Sequence, residues 1–165
     1  MTLPDTGKPG SSSGHVVRAW VAPWRDAQPD VYAIRQEMFV EEQHLTNSVY
    51  DDPDDELSEH VLAVIGERLA GVGRVTYIFD DAQIAWVAVR KPFRRHGVGW
   101  AIIQRLIDVS LAHGAAVISL NAQTHALDFY HQLGFHAVGR KFYMGGIEHQ
   151  HMIMDVEERH LEARS

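Results

Sequence analysis

Cysteine is absent from the 165 residues. That excludes a disulfide framework, a thiolate zinc site and a cysteine nucleophile. No apolar run is long enough to cross a bilayer, and Met1 to Gly14 has no apolar core of signal-peptide kind. An excess of positive charge is missing as well: 15 Lys and Arg stand against 22 Asp and Glu, a formal net charge of −7. With no broad basic face to neutralise phosphates, the chain reads against a nucleic-acid partner. Two phosphate-binding spacings, G-x-x-x-x-G-K-[ST] and G-x-G-x-x-G, do not occur. There is no internal repeat and no visible second domain. What is present is an ordinary globular composition, 45% apolar and 22% charged, at a length that suits one domain with a single sizeable core. The expectation is a soluble, cytoplasmic protein.

The stretch from Ile84 to Gly114 organises the rest. It opens with the apolar run Ile84-Ala85-Trp86-Val87-Ala88-Val89, turns at Lys91-Pro92, and passes through Phe93-Arg94-Arg95-His96-Gly97-Val98-Gly99-Trp100. Apolar residues at Ile102, Ile103, Leu106, Ile107 and Leu111 then follow a helical spacing. Strand, basic glycine-containing turn and helix form a phosphate-binding arrangement. The first helical turn carries N–H groups without helical partners, at the positive end of the helix dipole. Glycine lets an anion approach those groups, and arginine adds paired hydrogen bonds.

Around this stretch, Met1 to Gly14 is Gly, Ser and Pro rich and is expected to be a disordered leader. Residues 15–156 form the domain and 157–165 a polar tail. His15 to Val21 reads as a first strand ended by Pro23. Asp30 can cap a helix beginning at Val31, with Val31, Ile34, Met38 and Phe39 on one face, fading near Gln43. Thr46 to Glu59 is an acidic loop or short helix. His60–Ile65 and Leu69–Ile78 are antiparallel strands, and Gly71 and Gly73 suggest a bulge or a close neighbour. Asp80-Asp81 turns the chain into the central strand. Gly114 caps the central helix, and Ala116–Leu120 is a buried strand expected to lie parallel to the central one. Such a pair can splay beyond the helix N-terminus and leave a slot for a ligand. A helix beginning at Thr124 or His125 stops at Gly134, and Gly145-Gly146 turns a final hairpin. The fold class is α/β, a mixed central β-sheet flanked by helices.

The motif Arg94-x-x-Gly97-x-Gly99 resembles the acetyl-coenzyme A signature of the GNAT family of N-acetyltransferases. Downstream, Ala126-x-x-x-Tyr130-x-x-x-Gly134-Phe135 resembles that family's last block. Phe39-Val40-Glu41-Glu42-Gln43, Ala122-Gln123-Thr124-His125 and Gly146-Ile147-Glu148-His149 are similar to its ElaA-type branch. The resemblance covers roughly three quarters of the chain. It implies the GNAT fold, acetyl-CoA as donor, and a small-molecule or peptide amine as acceptor that attacks the thioester directly in a ternary complex. Family members often pair, so a homodimer is admitted, though no interface is legible. Trp86 stands where many relatives have arginine, and Gln123 where many GNAT enzymes have asparagine.

The expected roles follow. Arg94, Arg95, His96, Gly97, Val98, Gly99 and Trp100 form the pyrophosphate loop, binding mostly through backbone N–H groups. Val87, Ala88 and Val89 offer backbone groups to the pantetheine arm and the acetyl carbonyl, and Gln123 is a further coenzyme contact. By the resemblance, Tyr130 lies near the coenzyme sulfur, where a phenol can protonate the departing thiolate. An alkylammonium, with a pKa of about 10.4, needs a proton acceptor. Glu42 is the choice, with Glu41, His60 and His125 as alternatives. His149 and His151 alternate along a strand as a chelating pair would, but among 11 histidines such spacing arises by chance, and no metal is expected. Two other classes compete: a non-catalytic acyl-CoA-binding module, and an interaction protein holding a basic partner on the acidic Asp51–Glu59 loop.

Overall fold

The computed structural model describes residues 2–3, 16–44 and 52–157. Its strands are β1 (Thr2–Leu3), β2 (Val17–Ala22), β3 (Glu59–Ile65), β4 (Arg68–Ile78), β5 (Asp81–Val89), β6 (Val117–Gln123), β7 (His136–Met144) and β8 (Ile147–Asp155). The helices are α1 (Trp24–Arg35), α2 (Val98–His113) and α3 (Leu127–Gln132). Seven strands run in the order β2-β3-β4-β5-β6-β8-β7, and β1 pairs on β5. The β5–β6 pair is parallel, as the crossover through α2 requires; the meander and the last hairpin are antiparallel. Among the described residues, no helix is long and apolar enough to cross a membrane.

Strand alternation divides the apolar residues between two faces. Val61, Val75, Ile84, Val87 and Val89 pack with Ile102, Leu106 and Ile107 of α2 and with Phe129 and Tyr130 of α3. Their neighbours Leu62, Val72 and Ala88 face the other way, onto Ala27, Val31, Ile34, Met38 and Phe39. The sheet therefore has α2 and α3 on one side and α1 on the other. Gly71 and Gly73 are where α2 comes closest: a Cβ on Gly73 would lie 2.8 Å from Ile102 Cγ2.

The expected start of α1 at Val31 needs correction. The helix begins at Trp24, after Pro23, and Pro29 and Asp30 lie inside it. The apolar stripe already begins at Ala27, which is fully buried. Pro29 is on the exposed face, so the carbonyl it leaves without a helical donor can bond to water. After Arg35 the helix widens into a π-helical stretch, Gln36–Glu42. The leader also needs correction at two positions, because Thr2–Leu3 is a strand paired with Val87–Ala88; the remainder of the leader, residues 46–51 of the acidic loop and nearly all of the tail lie outside the described residues.

Candidate active site

The slot expected between the central strand and its parallel neighbour has a local cause. Val72 pairs with Ala88, and Arg74 with Ala85. One residue of β4, Gly73, thus faces two of β5, Trp86 and Val87, which is a β-bulge. Trp86 takes the left-handed conformation, with φ +54°, costly for a bulky residue. Its surroundings hold it there. The indole Nε1–H donates to Asp52 Oδ2 at 3.0 Å, the ring meets Phe39 edge-on at 5.1 Å, and the Arg35 guanidinium lies 4.9 Å over its face. Pairing between β5 and β6 ends at Ile84 and Leu120. Beyond that point the strands part, and β1 fills the gap along Val87–Ala88.

At the far end of β5 the chain makes a short turn, Lys91–Phe93, and enters the basic loop. Arg95 and Gly97 are both left-handed, with φ of +67° and +82°, and Gly97 is the N-cap of α2. Alternating left-handed residues turn successive N–H groups to one side, an anion-binding concavity, and the first-turn N–H groups of Val98, Gly99 and Trp100 have no helical acceptor. Val98 and Gly99 are buried, while Arg95 is exposed and His96 half-buried.

Arg94 is committed elsewhere. Its guanidinium holds both oxygens of Glu42 at 2.9 and 2.8 Å, and its Nε donates to the Val89 carbonyl at 3.2 Å. The preferred proton acceptor and an expected phosphate ligand are thus one ion pair, bridging the end of the π-helical stretch to the loop. Glu41 is exposed. Gln123 is buried at the end of β6, where its Nε2 donates to Gln43 Oε1 at 3.4 Å. Tyr130 is fully buried between the edges of Phe129 and Phe135.

The acidic loop turns inward. Asp55 is buried and accepts from Arg35 at 2.7 and 2.9 Å and from Arg74 at 2.7 Å. Asp52 accepts from Arg74 at 3.1 Å. Burial pulls the Asp52 carboxyl up, but hydrogen bonds from Arg74, Trp86 and the Asp54 N–H, with the Arg74 charge, outweigh it and leave the pKa below the usual range. Glu59 accepts from the Tyr77 hydroxyl. Three of the six acids in the Asp51–Glu59 stretch, Asp52, Asp55 and Glu59, are therefore bonded inside the protein; Asp51 lies outside the described residues. No regular spacing in the sequence announces this cluster.

The histidines separate by environment. His125 is exposed. His60 is buried, stacked on Trp24 at 4.5 Å, with its Nε2–H given to the Asp55 carbonyl at 2.8 Å. His149 is fully buried and gives its Nδ1–H to the Ile147 carbonyl at 2.7 Å. Burial lowers the pKa of both. The unfolded chain, with imidazole near 6.5, then takes up protons that the folded state refuses. Stability is expected to be full above about pH 7 and to fall as pH drops through about 6.5. Urea midpoints from pH 8 to 5 check this, and His60→Phe should flatten the profile; an unchanged slope in that variant would refute it. His151 pairs across the sheet with Asn121, Nδ1 to Oδ1 at 2.8 Å. No group of three metal-ligating side chains occurs among the described residues.

Comparison with known proteins agrees with this architecture. Residues 25–156 match the model of the acetyltransferase (GNAT) domain. The Bacillus subtilis (strain 168) N-acetyltransferase YjcF, itself uncharacterized, is 31% identical over 140 residues, 84% of this chain and all of that protein. Escherichia coli ElaA superposes with a TM-score of 0.76 at 21% identity, covering 85% of this chain and 100% of that one. A Bacillus subtilis acetyltransferase solved in complex with CoA gives a TM-score of 0.65 at 18% identity, covering 86% of this chain and 99% of that one. The domain match takes in both the bulged, splayed strand pair and the left-handed turn that opens α2, and by it the chain belongs to the GNAT family of acetyltransferases.

Proposed function

We propose that this protein is an N-acetyltransferase that passes the acetyl group of acetyl-CoA to a primary amine of a small molecule or peptide, by direct attack within a ternary complex. The observation that carries the reading is the run from the bulged β5 through the left-handed Arg95–Gly97 turn into α2. The turn and the first helical N–H groups suit a pyrophosphate. The arm of the donor carries amides and can pair with a strand edge as a peptide does. The Val87–Ala88 edge is competent for this, because it already pairs with Thr2–Leu3. A donor on that edge displaces β1, and an N–H there polarises the acetyl carbonyl. Arg94 and Arg95 stand at the phosphate end, Gln123 on the opposite wall, and the Tyr130 phenol protonates the departing thiolate. A CoA complex of a protein with the same fold supports the choice of donor.

Calorimetric titration of acetyl-CoA into the wild type and Gly97→Glu tests the reading. Gly97 is left-handed and buried, so the substitution adds backbone strain and sets a carboxylate where phosphate sits. Affinity is expected to fall at least 100-fold, roughly 2.7 kcal/mol. A wild type that binds nothing at millimolar acetyl-CoA would overturn the reading. Binding without turnover on any amine would leave a non-catalytic acyl-CoA-binding module.

A further inference from the structure

On the face of the sheet that carries α1, the helix lies over β3, β4 and β5. Further along that face, where β5 and β6 begin to part, is a cavity of about 210 Å³ lined by Gln83, Ala85, Ser119, Asn121 and His151. It is next to the proposed acetyl position: Val87 lies just beyond Ala85, on the other side of the bulge at Trp86. Three hydrogen bonds order the groups around it. Asp81 Oδ1 takes the Ser119 hydroxyl proton at 2.9 Å, and Asp81 Oδ2 takes a Gln83 amide proton at 3.1 Å. Asn121 Oδ1, an oxygen that can only accept, takes the Nδ1–H of His151. The Ser119 hydroxyl proton and the His151 Nδ1–H are both spent in these bonds, so the Ser119 oxygen and the rest of the His151 ring are left as acceptors, and Gln83 adds its amide oxygen beside one remaining N–H. A carboxylate stands directly behind. Such a lining fits a group rich in N–H donors that carries positive charge.

Resting on the acetyltransferase reading, we propose that this cavity is the acceptor site for a small primary amine entering as its ammonium ion, and that His151 Nε2, aligned by Asn121, takes its proton. The pairing fixes the tautomer, because a proton held on Nδ1 leaves Nε2 as the basic atom. Base and orienting group are in hydrogen-bond contact, the arrangement that activates a nucleophile. The sequence-based choice, Glu42, instead has both oxygens on Arg94.

In the reaction the ammonium nitrogen loses one proton to Nε2. The nitrogen lone pair forms the C–N bond to the thioester carbonyl carbon, and the C–S bond breaks with its electron pair leaving on sulfur. The second amine proton is passed to that sulfur through the Tyr130 hydroxyl, and His151 returns the first to water. The products are the amide, free CoA and one proton. Among the described residues, the titratable groups set nearest the His151 ring are His149 on the same strand face and Asp81, one hydrogen bond behind the Ser119 that lines the cavity with it; β7 presents Val138 opposite it.

The test uses the full chain with ethanolamine as the probe amine and acetyl-CoA as donor. His151→Ala is expected to keep its CoA affinity within twofold by calorimetry, which also reports that it folds. Its transfer rate at pH 7 should fall about 100-fold or more, its pH–rate profile should lose the acid limb expected of the wild type, and added imidazole should restore part of the rate. Asn121→Leu should lower kcat about tenfold or more without changing the KM for acetyl-CoA, as expected of a positioning residue. Asp81→Asn should raise the KM for ethanolamine alone. A His151→Ala enzyme within threefold of wild type with its acid limb intact overturns the proposal. So does a wild type that binds CoA but transfers nothing to ethanolamine. Failure of the wild type to bind CoA would instead count against the acetyltransferase reading itself.

Discussion

Asp55→Asn is expected to cost about 3–5 kcal/mol of folding stability, a large part of the roughly 5–15 kcal/mol that holds a typical domain together. Asp55 is 2% exposed, and its partners Arg35 and Arg74 are 1% and 6% exposed. Its two oxygens receive three guanidinium hydrogen bonds. Asparagine is nearly the same size, so the loss is one of charge rather than packing. Arg35 would then be a buried cation that has lost the carboxylate holding two of its nitrogens, and Arg74 would lose one of its two carboxylate partners. The protein cannot neutralise either arginine by deprotonation, because the guanidinium stays charged in proteins. Urea denaturation at neutral pH should show a midpoint lower by about 1.5–2.5 M for an m-value of about 2 kcal/mol/M. Glu37→Gln is the control. It breaks the half-exposed pair with Arg90 and should cost less than about 1 kcal/mol. Equal midpoints for the two variants would show that the buried cluster is not what holds the acidic loop. The loss also has a route to the active site, since Asp52 and Arg35 support Trp86 in its left-handed conformation.

Gly71→Ala is expected to destabilise by about 2 kcal/mol or more and to weaken donor binding as well. An added Cβ would sit 2.7 Å from the Ala88 carbonyl oxygen and 2.8 Å from Ile102 Cδ1. The side chain can rotate away, but the backbone oxygen moves only if β5 moves, and Ala88 belongs to the edge proposed to carry the donor. At Gly73 the nearest atoms, Ile102 Cγ2 at 2.8 Å and Leu106 Cδ1 at 3.0 Å, are side-chain carbons rather than backbone, although the Ile102 methyl sits on its branched Cβ and moves only with χ1. Gly73→Ala should therefore cost less. Thermal unfolding checks the order: a drop of about 4–8 °C for Gly71→Ala in a domain of this size, with a smaller one for Gly73→Ala. The reverse order, or full acetyl-CoA affinity in Gly71→Ala, would mean that β5 yields easily at Ala88.

Much of this molecule is written in short-range spacing. The apolar period of Val31, Ile34, Met38 and Phe39 gives a helix, and all four are buried. The alternation in β3 and β4, the glycines flanking α2 and the crossover between β5 and β6 are local signals, because helices and strands repeat every 3.6 and 2 residues. The basic turn before Val98 was legible for the same reason: its glycine is placed by the strand before and the helix after. The family resemblance rests on these local blocks.

What only the tertiary structure decided involves partners distant in sequence. Trp86 reads as one more apolar strand residue until Gly73 is set against it and the extra residue becomes a bulge. Asp52 and Asp55 read as a solvated acidic loop until Arg35 and Arg74 arrive from two other elements. Glu42 reads as a free base until Arg94, 52 residues away, closes on it. His151 and Asn121, 30 residues apart, meet only because β8 pairs with β6. A residue's type fixes what it can donate, accept or ionise. Whether a carboxylate is a base or half of an ion pair depends on which charge folding brings beside it: Arg94 beside Glu42, and Arg35 and Arg74 beside Asp55.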